Sequence, residues 1–352
     1  MALDRAFVVK PSELELKHGS PAGRRALSFR NSTDPVDRWR DACKRKLIEL
    51  LGLQFPNLGK VIPLRQTTHD GVRIKSLVMQ VNPGLSVHAY LLLPSEDVSP
   101  GTAVMAIHGH GTAEGCLAGD DYHHNFPVEL AKAGHLVLCP ALRGFGALSD
   151  LAAGREGHRL DYWNWGKHMA YSLVTDAFQR GQTLIGMTVD DLLCWEDWLA
   201  GSMAVKKVIA VGISYGGDLA LTYPVFSSRA AAIFASGTLG SFEAVFARCY
   251  NAPAHCIPGV LNWMDRADIA GLNAPRPITL QYGELDRPLK DNLSASYNET
   301  VEQSINDLRA IYGQAGAGED VKVVVTPNAG HVMDVAAAKA FVGAVHARLA
   351  SR

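Results

Sequence analysis

The sequence predicts an α/β fold in which a mainly parallel, twisted sheet carries helices on both faces. Short apolar, β-rich runs alternate with helical stretches along most of the chain, the pattern of strands buried on both sides. One run, KVIAV, passes into Gly212-Ile213-Ser214-Tyr215-Gly216-Gly217 and then directly into the helical stretch DLALTY. With 352 residues, 47% of them hydrophobic, the chain can bury a large core.

The elements follow in order. Residues 1–34 are polar and aperiodic; Asp34-Pro35 then opens a helix in which Trp39, Leu47, Leu50 and Leu51 share a face and which ends near Gly52. Strands are expected at 86–93, 103–108, 135–139, 207–212, 231–235, 278–282 and 321–325, and helices at 126–133, 186–200, 215–224, 296–312 and 334–350. Residues 147–185 break the rhythm and are rich in Gly, His, Arg and aromatics. A loop of that length is uncommon unless it is functional, so they read as a partly helical insertion over one end of the sheet. The organisation expected is therefore an N-terminal arm and helix, 1–60, packed on a body, 61–352, that contains the insertion.

Composition excludes several roles. Thirty-four basic against 35 acidic residues leave a net charge of −1, which is neither the footprint of a nucleic-acid binder nor that of a polybasic membrane anchor. The expected partner is a small, weakly charged substrate. Six cysteines, Cys43, Cys116, Cys139, Cys194, Cys249 and Cys256, form no C-x-x-C pair and read as reduced thiols; only Cys249 and Cys256 are close enough in sequence to suggest a bridge. The N-terminus has a four-residue apolar run before Lys10, too short for a signal peptide, and no window reaches the roughly 18 apolar residues of a membrane helix. A cytoplasmic location is expected unless a signal has been removed.

Strand, sharp turn and helix around G-x-S-x-G form the context of a nucleophile elbow. The glycines at 212 and 216 are needed because side chains there would meet neighbouring backbone, and the helix N-terminus behind Ser214 favours negative charge. A serine needs a base within reach, and the base needs a carboxylate to orient it. Downstream, ITLQY ends in Gly283-Glu284-Leu285-Asp286, and VKVVV leads through Asn328-Ala329-Gly330 to His331. Ser214, Asp286 and His331 are the candidate nucleophile, acid and base. Glu284 is the alternative acid; His255 and His346 are the other histidines after the nucleophile. AVMAI runs into His108-Gly109-His110-Gly111, where the backbone N–H of His110, with that of Tyr215, would form the oxyanion hole.

A competing reading takes His108, His110, Asp120, Asp121, His123 and His124 as metal ligands. An H-x-H-x-D-H site would need Asp at 112, where Thr112 stands, so no metal is expected and His108 reads as a brace for its loop. Arg143 either braces the nucleophile turn or the arm through ion pairs or binds an acidic substrate group. Tyr162, Trp163 and Trp165 either stack on a sugar or arene ring or pack the insertion onto the body.

The strings WRDACKRKLIELLG, HGHG, LCPALRGFG, GISYGG, HCIPGVLNWMDRADIAGLNAPRP, GELD and NAGH together resemble the dienelactone hydrolase and acetyl xylan esterase-like branch of the α/β-hydrolase superfamily, over roughly residues 40–350. The resemblance implies an α/β-hydrolase fold and hydrolysis of short-acyl esters, often acetyl groups on carbohydrate, without metal or organic cofactor. Dienelactone hydrolases proper carry a cysteine nucleophile, so Ser214 points to the esterase side. A peptidase or amidase of the prolyl oligopeptidase-like type is the alternative, although the chain has no room for the propeller those enzymes usually carry. An inactive binding module is the third reading.

Overall fold

The computed structural model describes residues 25–82, 85–94, 101–119, 121–148, 170–242, 253–286 and 300–351. Nine strands form one sheet: β1 (Val61–His69), β2 (Val72–Asn82), β3 (Leu85–Leu93), β4 (Thr102–Ile107), β5 (Leu136–Pro140), β6 (Lys207–Ile213), β7 (Ala230–Ser236), β8 (Ile278–Gly283) and β9 (Val321–Thr326). Their spatial order is β1-β2-β3-β5-β4-β6-β7-β8-β9. The pairs from β1 to β5 along the first edge are antiparallel, and all pairs from β5 to β9 are parallel. β5, β6 and β8 are almost wholly buried, as expected of parallel strands covered on both faces.

The seven expected strands are present within a few residues of their expected bounds. β1 and β2 were not among them. Their hairpin turns at Asp70-Gly71, both with positive φ (50° and 79°), and places His69 opposite Val72. β1 is mostly exposed and polar, so apolar periodicity could not reveal it, but the Asp-Gly turn between β-branched runs is a hairpin signal in its own right.

Helices cover the sheet: α1 (Val36–Leu51), α2 (Ala113–Ala118), α3 (Phe126–Lys132), α4 (Ala170–Gln179), α5 (Leu184–Met203), α6 (Tyr215–Thr222), α7 (Arg266–Gly271), α8 (Val301–Gln314) and α9 (Val335–Ala350). α1 buries Trp39, Cys43, Leu47 and Leu51, one residue per turn, and stops where Gly52 turns left-handed at φ 64°. Leu50, expected on that face, is half-buried. α4 lies within the expected insertion, of which residues 149–169 are outside the described residues, as are Tyr162, Trp163 and Trp165.

The segment before α1 is tied to distant parts of the chain. Ala26 and Leu27 donate to the Asn262 and Trp263 carbonyls at 3.0 and 2.8 Å. Arg25 pairs with Asp265 at 2.6 Å, the Phe29 N–H reaches Asp268 at 2.9 Å, and Arg30 forks onto Asp307 at 2.6 and 2.7 Å. Cys43, Cys116, Cys139 and Cys194 are buried free thiols and Cys256 is half-buried; Cys249 lies outside the described residues. Among the described residues, no helix is long and apolar enough to cross a membrane.

The strand order reverses direction at β4, which has β5 on one side and β6 on the other. Loops leaving β4 and β6 at their C-terminal ends therefore diverge to opposite sides of the sheet and open a crevice, where ligands bind in folds of this kind. Ile107 pairs with Gly212, so the HGHG loop and the Ser214 turn start side by side.

Candidate active site

Ser214 stands between β6 and α6 with φ 57° and ψ −122°. For a non-glycine residue this conformation costs on the order of 1–3 kcal/mol, and it persists because its surroundings enforce it. The Ser214 N–H donates to the Ser236 carbonyl at 2.9 Å, the Ser214 carbonyl accepts the Asp218 N–H at 3.1 Å, and every residue of α6 is buried. A Cβ at 212 would collide with the Gly216 carbonyl, and one at 216 with the carbonyls of Ile107 and His108. The turn can therefore lie flat on the strand ends only with glycine at both positions.

Asp286 follows β8, and His331 sits in the loop after β9. Their side chains meet, His331 Nδ1 lying 2.8 Å from Asp286 Oδ2. Because a carboxylate only accepts, the ring proton is on Nδ1 and the Nε2 lone pair is left for a proton. Glu284 faces elsewhere: its Oε2 takes the Asn328 N–H at 2.9 Å and closes the loop before His331. The imidazole rests on Gly237, which has φ 54°; a Cβ there would come 2.7 Å from His331 Cε1 and 2.9 Å from Nδ1. Gly237 directly follows Ser236, whose carbonyl holds Ser214. One dipeptide at the end of β7 thus positions both Ser214 and His331.

The HGHG loop closes the other side. A Cβ at Gly109 would fall 3.0 Å from Ser214 Cβ and against the Tyr122 hydroxyl, so the loop lies directly on the serine. Tyr215 heads α6, where its N–H has no intrahelical acceptor. The His110 ring packs among Phe145 (5.4 Å between centroids), Tyr215 (5.9 Å) and His255 (5.3 Å, nearly parallel). Tyr122 donates its hydroxyl to the His110 carbonyl at 2.9 Å, and its ring lies 5.5 Å from that of His331.

The remaining histidines have protein partners. His108, fully buried, has Nδ1 2.8 Å from the Gly109 carbonyl and accepts the Leu142 N–H at Nε2 (3.3 Å); burial pushes its pKa down to about 4. His123 bridges Asp121 and the Gly109 N–H, and His124 approaches the Met333 carbonyl at 3.2 Å. Asp120 is outside the described residues, among which no group of three or more His, Cys, Asp or Glu side chains is arranged to hold a metal. His346, on α9, packs against His135. His255 is buried against Asp218, which also receives Arg266 and Thr238. The Arg143 fork is engaged by Asp191 of α5 at 2.6 and 2.7 Å.

No protein-family model matches the chain, and no curated protein matches it in sequence. Solved structures do. A Bacteroides fragilis protein assigned as an acetyl xylan esterase superposes with TM-score 0.69 at 15% identity, over 92% of this chain and 84% of its own. A methylesterase gives 0.67 at 18%, over 92% and 68%, and a glucuronoyl esterase from Solibacter usitatus gives 0.61 at 12%, over 97% and 100%. The chain has the α/β-hydrolase fold.

The loops after β4, β6, β8 and β9 converge here, through Gly109 on Ser214, Asp286 on His331 and the Tyr122 ring beside His331. Several residues of this crevice went unread in the sequence. Gly237 has no local signal, since Ser-Gly-Thr after a strand is ordinary turn chemistry. His123 stands out in the sequence, in DDYHH, but as a metal candidate, and Tyr122 beside it carries no signal of its own. Asp218 and Arg266 become neighbours only through the packing of α6 on α7.

Proposed function

We propose that this chain is a serine carboxylic-ester hydrolase working through an acyl-enzyme. The observation that carries the reading is that the Ser236-Gly237 dipeptide holds both the strained Ser214 turn, through the Ser236 carbonyl, and the His331 ring of a 2.8 Å His331–Asp286 pair, against Gly237. Ser214 Oγ attacks the ester carbonyl while His331 Nε2 takes its proton. Asp286 holds the ring in the required tautomer and stabilises the imidazolium. The carbonyl oxygen becomes an oxyanion, stabilised by the N–H groups of His110 and Tyr215, each donor of this kind typically contributing about 3–4 kcal/mol. His331 then protonates the leaving alcohol, and water, activated by the same ring, releases the acid from Ser214.

The substrate class proposed is a short-acyl ester, an acetyl group on carbohydrate or on a small aryl alcohol. It is supported by the serine nucleophile and by the carbohydrate-esterase names among the structural neighbours. Arg143 is left out of substrate binding because its fork is held by Asp191.

Replacing Ser214 by Ala is expected to lower hydrolysis of p-nitrophenyl acetate by about 10⁴-fold or more with the melting temperature unchanged. Retention of most of the rate sinks the assignment. A matched ester and anilide pair separates esterase from amidase, the ester being strongly preferred. A panel of acetylated sugars, aryl acetates and longer acyl chains then tests the acyl class.

A further inference from the structure

The segment Asp121-Tyr122-His123-His124 lies outside the triad, yet it is built into the crevice. His123 is fully buried; its Nδ1 lies 2.6 Å from Asp121 Oδ1, and its Nε2 accepts the Gly109 N–H at 2.8 Å. Asp121 is fixed in turn by the His123 backbone N–H at 3.0 Å. A carboxylate on one nitrogen and an N–H on the other leave one tautomer, neutral with the proton on Nδ1. Burial lowers the His123 pKa, against the pull of Asp121, and so favours that neutral form.

His108 treats the next peptide in the same way. Its Nδ1–H donates to the Gly109 carbonyl at 2.8 Å, while its Nε2 takes the Leu142 N–H. The Gly109 carbonyl and the His110 N–H belong to one trans peptide and point in opposite directions. Holding the oxygen on the buried side turns the hydrogen towards the crevice. His123 fixes the peptide before it, and Tyr122 takes the carbonyl after it. With glycine at 109, little in the loop itself would resist rotation.

We infer that His108 and His123, the latter set by Asp121, are positioning residues that hold two successive peptides so that the His110 N–H stays aimed at the developing oxyanion. The inference rests on the acyl-enzyme reading. An oxyanion contact strengthens in the transition state, so disturbing it lowers kcat and leaves KM nearly unchanged.

The test measures kcat, KM and melting temperature with p-nitrophenyl acetate for wild type, Ser214→Ala, His123→Leu, His123→Gln and Asp121→Asn. His123→Leu is expected to lower kcat by about 30- to 100-fold, short of or near the loss of a whole donor, with KM within about twofold. Glutamine offers the Gly109 N–H an oxygen and should recover about tenfold; Asp121→Asn, which no longer imposes the tautomer, should cost about tenfold. A folded His123→Leu with kcat within about threefold of wild type overturns the inference, as does a glutamine variant no faster than leucine. If His123→Leu does not fold, Asp121→Asn decides, and wild-type kcat there overturns it. Activity in Ser214→Ala removes the acyl-enzyme reading itself, whereas a dead Ser214→Ala beside unaffected His123 and Asp121 variants removes only the positioning role.

Discussion

Two carboxylate–histidine pairs flank the Tyr122 ring, 4.1 Å from His123 and 5.5 Å from His331, with nearly the same contact and very different depths. His331 meets Asp286 at 2.8 Å with its side chain 34% exposed, while His123 meets Asp121 at 2.6 Å with none. The exposed ring can exchange protons with water and reach a bound molecule. The buried ring has both nitrogens committed and can only hold geometry. In the proposed mechanism the same pairing serves proton transfer at the rim and alignment in the interior, and depth decides which.

The largest effect that could break this contrast is at the rim. His331→Ala and Asp286→Asn are each expected to lower kcat by about 10³- to 10⁴-fold with little change in melting temperature. Large destabilisation with modest kinetic loss would instead make the rim pair structural. An intermediate effect concerns pH. Burial holds His108 at about 4, below the ordinary value of about 6.5 for an unfolded chain, so the folded state binds protons less readily than the unfolded one. This contribution to stability is present above about pH 6.5 and is lost as pH falls towards 4. The stability difference between wild type and His108→Gln, from urea unfolding, should therefore shrink by about 2 kcal/mol between pH 7.5 and 5. A constant difference would show that the ring is not excluded from water. The smallest effect sharpens the identity of the acid: Glu284→Gln retains an oxygen for Asn328 and should keep kcat within about threefold.

Much of this arrangement was legible because it is written locally. G-x-S-x-G-G needs its glycines for close backbone approach, and each of the other two candidates follows a strongly apolar strand, so chain order could stand in for space. The parallel strands announced themselves through short apolar, β-branched runs. The exposed edge strand β1 did not, because it carries polar residues; β2 beside it alternates buried Val72 and Ile74 with Arg73 and Lys75, so a period-2 signal joins the Asp-Gly turn as a clue to the hairpin. Partners created by folding were invisible. Nothing near Arg143 in sequence points to Asp191, 48 residues on, and nothing near His123 reveals that its acceptor nitrogen serves Gly109. The histidine-rich segment was noticed for its residue types, but its use depended on which atoms those rings face.

The ties of Arg25, Phe29 and Arg30 have a consequence in time. Their partners Asp265, Asp268 and Asp307 come 240, 239 and 277 residues later. At about 5–20 residues per second, a ribosome adds that length in roughly tens of seconds, so this segment leaves the tunnel early and waits for its anchors. Asp265 also receives the Phe242 N–H, on the stretch that follows Gly237 under His331. Synthesis order and spatial order are thus reversed here: these residues emerge long before the partners they lock onto, and they lock against a wall that continues into the crevice.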